Sequence, residues 1–326
     1  VAVALVGPTA SGKSATALAV ARRARQAGDP GVELVSVDSM AVYRGMDIGT
    51  AKPTTAQRAE VAFHLLDLAD PGDEFGVAEF QHAAREALSG IAARGCQAVL
   101  VGGTGLYLRA VVDDLHLPGR FPEVAEELWA ELAAAGDPGS EARRTASAAL
   151  HGRLAVLDPP AAGRMEPGNE RRVVRALEVT VGSGRPFSSF GPGLARYPET
   201  PVRLVGMPPG PDAEDRIDAR FQEMLAAGLL DEVRALAARP GGLSRTARQA
   251  LGYRELLAHL EDGVPLAEAV AEAVRRTRLF ARRQMAWFRR DPRIRWVGSG
   301  EDPVEVVGAA LDAERAAGVR DWSPRP

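Results

Sequence analysis

The feature that most narrows the fold lies at the start of the chain. An apolar run, Val1 to Val6, leads into Gly7-Pro8-Thr9-Ala10-Ser11-Gly12-Lys13-Ser14, which matches G-x-x-x-x-G-K-[ST], and an alanine-rich helical stretch, Ser14 to Ala27, follows. A buried strand, a glycine-bearing loop and a helix in this order make a phosphate-binding loop at the edge of an α/β sheet. Glycine lets the loop turn so that successive backbone N–H groups converge on an anion. The helix beginning near Gly12 adds its dipole and its unpaired N–H groups. Lys13 brings a mobile cation to a terminal phosphate, and the Ser14 hydroxyl is placed to hold Mg²⁺. The pattern leaves open whether the ligand is ATP or another diphosphate, and whether a phosphoryl group moves.

Further short apolar strands are predicted at Glu33 to Val37 and Ala98 to Val101, separated by a helical stretch from Val77 to Ala93. Strands alternating with helices predict a parallel sheet flanked by helices, a P-loop NTPase-like α/β fold. From about Leu117 strand signals vanish and helix-like segments run to Leu177, closed by a Gly/Ser/Pro-rich passage from Gly182 to Pro201. Val202 to Met207 then reads as a strand returning to the first sheet, and Arg295 to Val297 as a last one. The organisation expected is a first α/β part (1–116), a helical insertion (117–200), and a return strand with C-terminal helices (201–326).

The formal net charge is −3 and 46% of residues are hydrophobic, so the chain has a core to bury and is no polycation. A local basic stripe is what a nucleic-acid backbone feels, so RNA binding stays open. The single cysteine, Cys96, excludes an internal disulfide and fits a reducing, cytoplasmic setting. The five histidines are scattered with no metal-ligand spacing. No membrane span is expected, and with the chain opening directly on a strand no signal peptide either. A start at Val1 rather than Met suggests that a few leading residues are missing.

The next signals are blocks of sequence. Ser36-Val37-Asp38-Ser39 precedes Tyr43-Arg44-Gly45-Met46-Asp47-Ile48-Gly49-Thr50-Ala51-Lys52-Pro53. His64-Leu65-Leu66-Asp67 and Val101-Gly102-Gly103-Thr104-Gly105-Leu106-Tyr107 follow. Later come Arg172 with Arg175-Ala176-Leu177-Glu178, Arg216-Ile217 with Arg220, Gly252-Tyr253-Arg254-Glu255, and Arg282-Arg283-Gln284 with Trp287-Phe288-Arg289. With the phosphate loop, this series closely resembles the tRNA dimethylallyltransferases (tRNA isopentenyltransferases) over nearly the whole chain. The resemblance implies that dimethylallyl diphosphate binds at Gly7 to Ser14 with Mg²⁺. It also implies that the five-carbon group moves to the exocyclic N6 of adenosine 37 in the tRNA anticodon stem-loop. It makes Asp38 the base that contacts the amine, sets Thr104 beside the target adenosine, and brings Arg220 near the diphosphate. The RNA contacts it implies are Asp38, Ser39, Met40, Ala41, Thr104, Arg171, Arg172, Arg175, Gln249, Gly252, Tyr253, Arg254, Arg282, Arg283, Gln284, Trp287 and Arg289. A monomer is expected. The chain departs from the family pattern at Ala125, where a family arginine reaches the RNA, and at Arg171 and Gln249, where other members carry different polar residues.

Residue by residue, alternatives stand beside these roles. Asp38 ends a sheet strand at the edge where parallel sheets hold ligands; it suits a general base, a helix N-cap or a Mg²⁺ ligand. Thr104 ends another strand, with a cap on the following helix as its alternative. Thr9 is a further candidate to face the transferred group. Arg275, Arg282 and Arg289 are seven apart, as are Arg276, Arg283 and Arg290, and with Arg278 they fall in one predicted helix without an interleaved acid. Heptad spacing drifts only about 20° per repeat, so these make two adjacent rows. Leu279, Met285 and Phe288 are predicted to pack inward, and Trp287 and Tyr253 either stack on bases or join the core. Three rival readings compete: a prenyltransferase acting on free adenine nucleotides, a small-molecule kinase, and an RNA-binding protein with a degenerate nucleotide site.

Overall fold

The computed structural model describes residues 2–28, 31–191 and 193–317. Val1, read above as part of the first strand, lies outside them, as does Pro192 within the Gly/Ser/Pro-rich passage.

In chain order the first part runs β1 (Ala2–Val6), α1 (Lys13–Ala27), β2 (Val32–Val37), α2 (Thr55–Glu60), β3 (Phe63–His64), α3 (Val77–Ala93), β4 (Gln97–Gly102) and α4 (Gly105–Val112). Four helices follow: α5 (Pro122–Ala134), α6 (Glu141–Leu157), α7 (Pro159–Ala162) and α8 (Glu170–Ser183). The chain then returns through β5 (Arg203–Gly206), α9 (Ala213–Ala226), α10 (Leu229–Ala237), α11 (Tyr253–Asp262), α12 (Leu266–Phe288), β6 (Arg295–Trp296) and α13 (Pro303–Ala316). Two compact units result, one drawn from Val1–Asp114 with Pro198–Pro326, the other Leu115–Tyr197.

The strands form one parallel sheet in the order β3-β2-β4-β1-β5-β6. Its two-residue edge strand β3 gave no periodicity for the sequence to reveal. Along β1 the side chains alternate between two buried layers. Ala4 and Val6 join Phe80, Ala84, Leu88 and Ile91 of α3, while Val3 and Leu5 join Ala17, Leu18 and Val20 of α1 and Val307 and Leu311 of α13. Burial on both faces is what makes these strands read as continuous apolar runs.

The register decides where function can sit. Val6 pairs with Gly102 and with Gly206, and Val37 pairs with Gly102. The carboxyl ends of β1, β2, β4 and β5 are therefore level, and the loops leaving them meet at one sheet edge. A Cβ at Gly102 would overlap the Val37 carbonyl, so only glycine lets β2 and β4 end side by side here.

The helical unit has its own core of Leu128, Leu132, Leu150, Leu154, Val173, Val174 and Leu177. Asp158, 1% exposed, caps α7 through Ala161 N–H and accepts from both the backbone and the hydroxyl of Ser188. In the α/β unit, Arg293 ties together the points where the chain leaves and returns. Its Nη1 donates to Asp113 Oδ1 and to the Pro198 carbonyl, each at 2.6 Å, and Thr200 Oγ1 donates to the Val112 carbonyl at 2.9 Å. Burial opposes the Arg293 charge, but bonds to Asp291 and Asp113 outweigh it and raise the pKa.

Candidate active site

The loop between β1 and α1 turns through two left-handed residues, Ala10 (φ 64°) and Gly12 (φ 88°). For alanine that conformation is uncommon and needs support. Ser11 N–H donates to the Pro8 carbonyl, closing the turn, and the helix starts at Lys13. Lys13 Nζ donates to the Pro8 carbonyl at 3.0 Å and makes no ion pair among the described residues.

Three charged groups converge on this loop. Burial pulls the Lys13 ammonium down to about 8; the Arg220 cation lowers it further, against the pull of Asp38. Lys13 keeps partial solvent access as a residue, but burial of its ammonium is the main cause of the shift and the Arg220 cation the second. Burial likewise lowers Arg220, on α9, against the carboxylates of Asp38 and Glu223. Among the described residues no pair of the three closes to ion-pair distance. Two partly desolvated cations thus face a common space without an acid in contact, which suits a polyanion.

Asp38 follows β2. Its Oδ1 accepts from Met40 N–H (2.8 Å) and Ala41 N–H (3.3 Å), while Oδ2 accepts no hydrogen bond from the described residues. The carboxylate therefore closes a turn with one oxygen and keeps the other free of donors among the described residues; no helix starts here, which corrects the N-cap alternative. Thr104 occupies the position before α4, but its side chain makes no cap bond; Oγ1 accepts from Ser39 N–H at 3.4 Å. The hydroxyl is turned towards the Asp38 loop and away from its own helix.

Among the described residues no group of three or more His, Cys, Asp or Glu could hold a metal ion. Mg²⁺ fits only as an ion shared between the exposed Ser14 hydroxyl and phosphate oxygens of a ligand, a partnership common for this cation.

The block from Tyr43 to Pro53 has a structural explanation that the sequence did not reveal. The Lys52 side chain, 1% exposed, bonds the Tyr43 carbonyl (2.6 Å), Asp47 Oδ1 (2.7 Å) and Asp67 Oδ1 (2.5 Å). Glu232 of α10 accepts from Asp47, Ile48 and Gly49 N–H groups and from the Tyr253 hydroxyl. Gly49 leaves room for that ring, which a Cβ would overlap. Two blocks recognised separately in the sequence are one interlocked unit.

Several residues expected to contact RNA are engaged within the fold. Tyr253 is fully buried with its hydroxyl on Glu232, and burial followed by that carboxylate raises its pKa, so it is a core donor and stacks on no base. Gly252 is a buried left-handed residue (φ 84°) at the start of α11. Ala41 is 3% exposed, its amide on Asp38. Gln284 is 7% exposed and bonded to two backbone groups. Arg175 braces the helical unit, bonding Glu178 and the Pro118 and Gly119 carbonyls. Trp287 is half-buried, packed over Gly105. Leu279, expected inside, is exposed; the buried face of α12 is Ala269, Ala273, Gln284 and Phe288.

The arginine rows are also less free than the sequence implied. Glu272 bonds both Arg275 and Arg276, Asp218 bonds Arg278, and Glu214 bonds Arg282 at 2.7 Å. The acids come from the preceding turn of α12 and from α9, outside the window where sign alternation was sought. Arg283, Arg289 and Arg290 remain exposed without an ion pair among the described residues, as does Arg254. Gln249 in the α/β unit and Arg171 and Arg172 in the helical unit are exposed as well.

A family model described as IPP transferase matches residues 41–291. The chain is 47% identical over 313 residues to a tRNA dimethylallyltransferase of Kineococcus radiotolerans, covering 95% of each chain. It is 47% identical over 310 residues to one from Streptomyces coelicolor, covering 95% of this chain and 94% of that one. The crystal structure of the full-length tRNA isopentenylpyrophosphate transferase from Bacillus halodurans superposes with a TM-score of 0.65 at 34% identity, covering 97% and 98% of the two chains.

Proposed function

The chain belongs to the IPP transferase family, and we propose that it transfers the dimethylallyl group from dimethylallyl diphosphate to N6 of adenosine 37 in the tRNA anticodon stem-loop. At the coarser level it is a prenyltransferase that acts on tRNA. The convergence of Lys13 and Arg220 on a space with no acid in contact is the observation that carries the reading. On this account the ligand of the loop is the prenyl diphosphate, with no need of ATP.

Alkylation by an allylic diphosphate breaks the carbon–oxygen bond and forms a carbon–nitrogen bond, releasing diphosphate and one proton. Lys13, Arg220 and the loop amides hold the oxygens on which charge develops as the bond breaks. Ser14 would hold Mg²⁺ there, which when bound neutralises part of that charge. Asp38 Oδ2, the oxygen not used by the turn, takes the proton from N6. Thr104, which reaches the Asp38 loop through Ser39, positions the base of the adenosine. A base inside an anticodon loop stack cannot meet Asp38, so the adenosine is flipped out to the sheet edge. Arg254, Arg283 and Arg289 supply phosphate contacts from the α/β unit, and Arg171 and Arg172 from the helical unit. The protein acts as a monomer in the cytoplasm, where its substrate is.

The test is to incubate the protein with Mg²⁺, labelled dimethylallyl diphosphate and unmodified anticodon stem-loop, with AMP in a parallel tube. Label is expected in the RNA at the adenosine beside the anticodon and is lost with Asp38→Ala. Label in AMP but not RNA would replace the reading with a free-nucleotide prenyltransferase; label in neither, with turnover of ATP, would replace it with a kinase.

A further inference from the structure

The resemblance gives Gln284 to the RNA, yet this side chain is 7% exposed and both ends of its amide are engaged. Oε1 accepts from Thr9 N–H at 2.8 Å, inside the phosphate loop. Nε2 donates to the Gly103 carbonyl at 3.0 Å, at the end of β4. A Cβ at Gly103 would overlap the Gln284 amide, and a Cβ at Gly105, two residues on, would overlap the Trp287 ring. Gln284 and Trp287 are three apart on α12 and so share one helix face. That face rests on the two glycines that flank Thr104.

From this geometry we propose that Gln284 is a positioning residue for the diphosphate. Its amide fixes the phosphate loop against the strand end that carries Thr104, and so sets the spacing between the leaving group and the acceptor base. The bond to Thr9 N–H turns that amide away from the ligand space and braces the strained turn at Ala10 (φ 64°) next to it. Replacing Gln284 by an apolar residue of similar volume leaves the Thr9 N–H and the Gly103 carbonyl without their partner. The loop then loses the tether that holds its amides convergent. The same helix exposes Arg283 and, just past its end, Arg289, so one rigid element carries an RNA-facing surface and the strut of the diphosphate loop. The inference rests on the reading that Gly7 to Ser14 holds the diphosphate.

The experiment is calorimetric titration of the full chain with inorganic diphosphate and Mg²⁺, and separately with unmodified anticodon stem-loop. For Gln284→Met, diphosphate affinity is expected to fall about tenfold, the scale of one lost buried hydrogen bond, with stem-loop affinity within about twofold. In turnover, KM for dimethylallyl diphosphate rises while KM for the stem-loop does not. Gly103→Ala drives the amide away from the opposite side and is expected to reproduce the loss; it carries the test if Gln284→Met fails to fold. Applied to a Gln284→Ala chain, Gly103→Ala should cost less than in the parent, since the two changes remove one interaction. Unchanged diphosphate affinity in both variants overturns the proposal, as does a loss confined to stem-loop affinity, which would return Gln284 to RNA contact. A parent chain that binds stem-loop but no diphosphate would instead defeat the functional reading itself.

Discussion

Lys13 and Lys52 are the only lysines in a chain with 38 arginines, and their two surroundings are opposites. Lys52 is sealed among Asp47, Asp67 and a carbonyl, and every donor of its ammonium has a partner. Lys13 meets one carbonyl of its own loop, a repelling arginine and a carboxylate out of contact. Both stand in motifs that the sequence flags with similar force. One motif completes its electrostatics within the fold, and the other leaves them incomplete until a ligand arrives. A motif's specificity thus says that the fold or the chemistry requires it, and only the partners of its polar atoms say which.

The contrast breaks most sharply under exchange of each lysine for methionine. Lys13→Met is expected to lower kcat/KM about 10² to 10³-fold, the usual cost of removing one charge-stabilising donor, with little change in Tm. Lys52→Met takes the buried ammonium from Asp47 and Asp67, both partly exposed and the latter still bonded to Arg58, and is expected to cost about 1–3 kcal/mol of stability, while the fraction that stays folded keeps its kcat. Steady-state kinetics beside thermal unfolding separates the two; a Lys52→Met chain that is stable but inactive would erase the distinction.

Asp38 sits between the extremes, one oxygen structural and one facing the site. Asp38→Asn retains the turn acceptor for Met40 and Ala41 N–H but cannot take the proton. A rate loss of about 10² to 10⁴ is expected with near-parental Tm, whereas Asp38→Ala also loses about 1 kcal/mol of stability. If Asn and Ala prove equally active, the aspartate only shapes the loop.

The pH dependence follows from the lowered Lys13 pKa. Below about 8 the amine is charged in the free protein and diphosphate affinity is flat. Above it the free protein must first take up a proton, so affinity falls by up to about tenfold per pH unit. For folding the sign is opposite: the buried cation costs stability below that value, and the cost is relieved as pH rises through it towards 10.5. With only two lysines, ¹³C-methylated amines give resolvable titrations, and a Lys13 signal titrating near 10.5 would remove the argument. The smallest effect expected is at Tyr253, where Tyr253→Phe removes one hydrogen bond to Glu232. Stability should fall by about 1 kcal/mol with unaltered stem-loop affinity; weaker RNA binding at parental Tm would restore the ring to the RNA surface.

Legibility in the sequence followed the distance over which each signal acts. Strands β1, β2, β4 and β5, helix α3 and the loop from Gly7 to Ser14 are local patterns, and each lies within a residue or two of where it was read. Asp38 and Thr104 were legible because they end strands, and level strand ends bring such residues together. What escaped depends on partners far along the chain. Gln284 meets Thr9 across 275 residues and Glu232 meets Ile48 across 184, and nothing local distinguishes a buried glutamine from a surface one. The arginine rows misled for the same reason: Glu214 and Asp218 lie on another helix, and a window along α12 cannot see them.

The bond from one Arg293 nitrogen to both Asp113 and Pro198 has a consequence for how such a chain can diversify. Because departure and return are stitched inside the α/β unit, the segment between them behaves as a cassette whose length and composition are free to drift without unstitching the sheet. Exchanging Leu115–Tyr197 for a short flexible linker should therefore leave a domain that still unfolds cooperatively and still binds diphosphate. In that view the α/β unit and the segment it carries are separable inheritances, because Arg293 closes the chain's departure and return within the α/β unit alone.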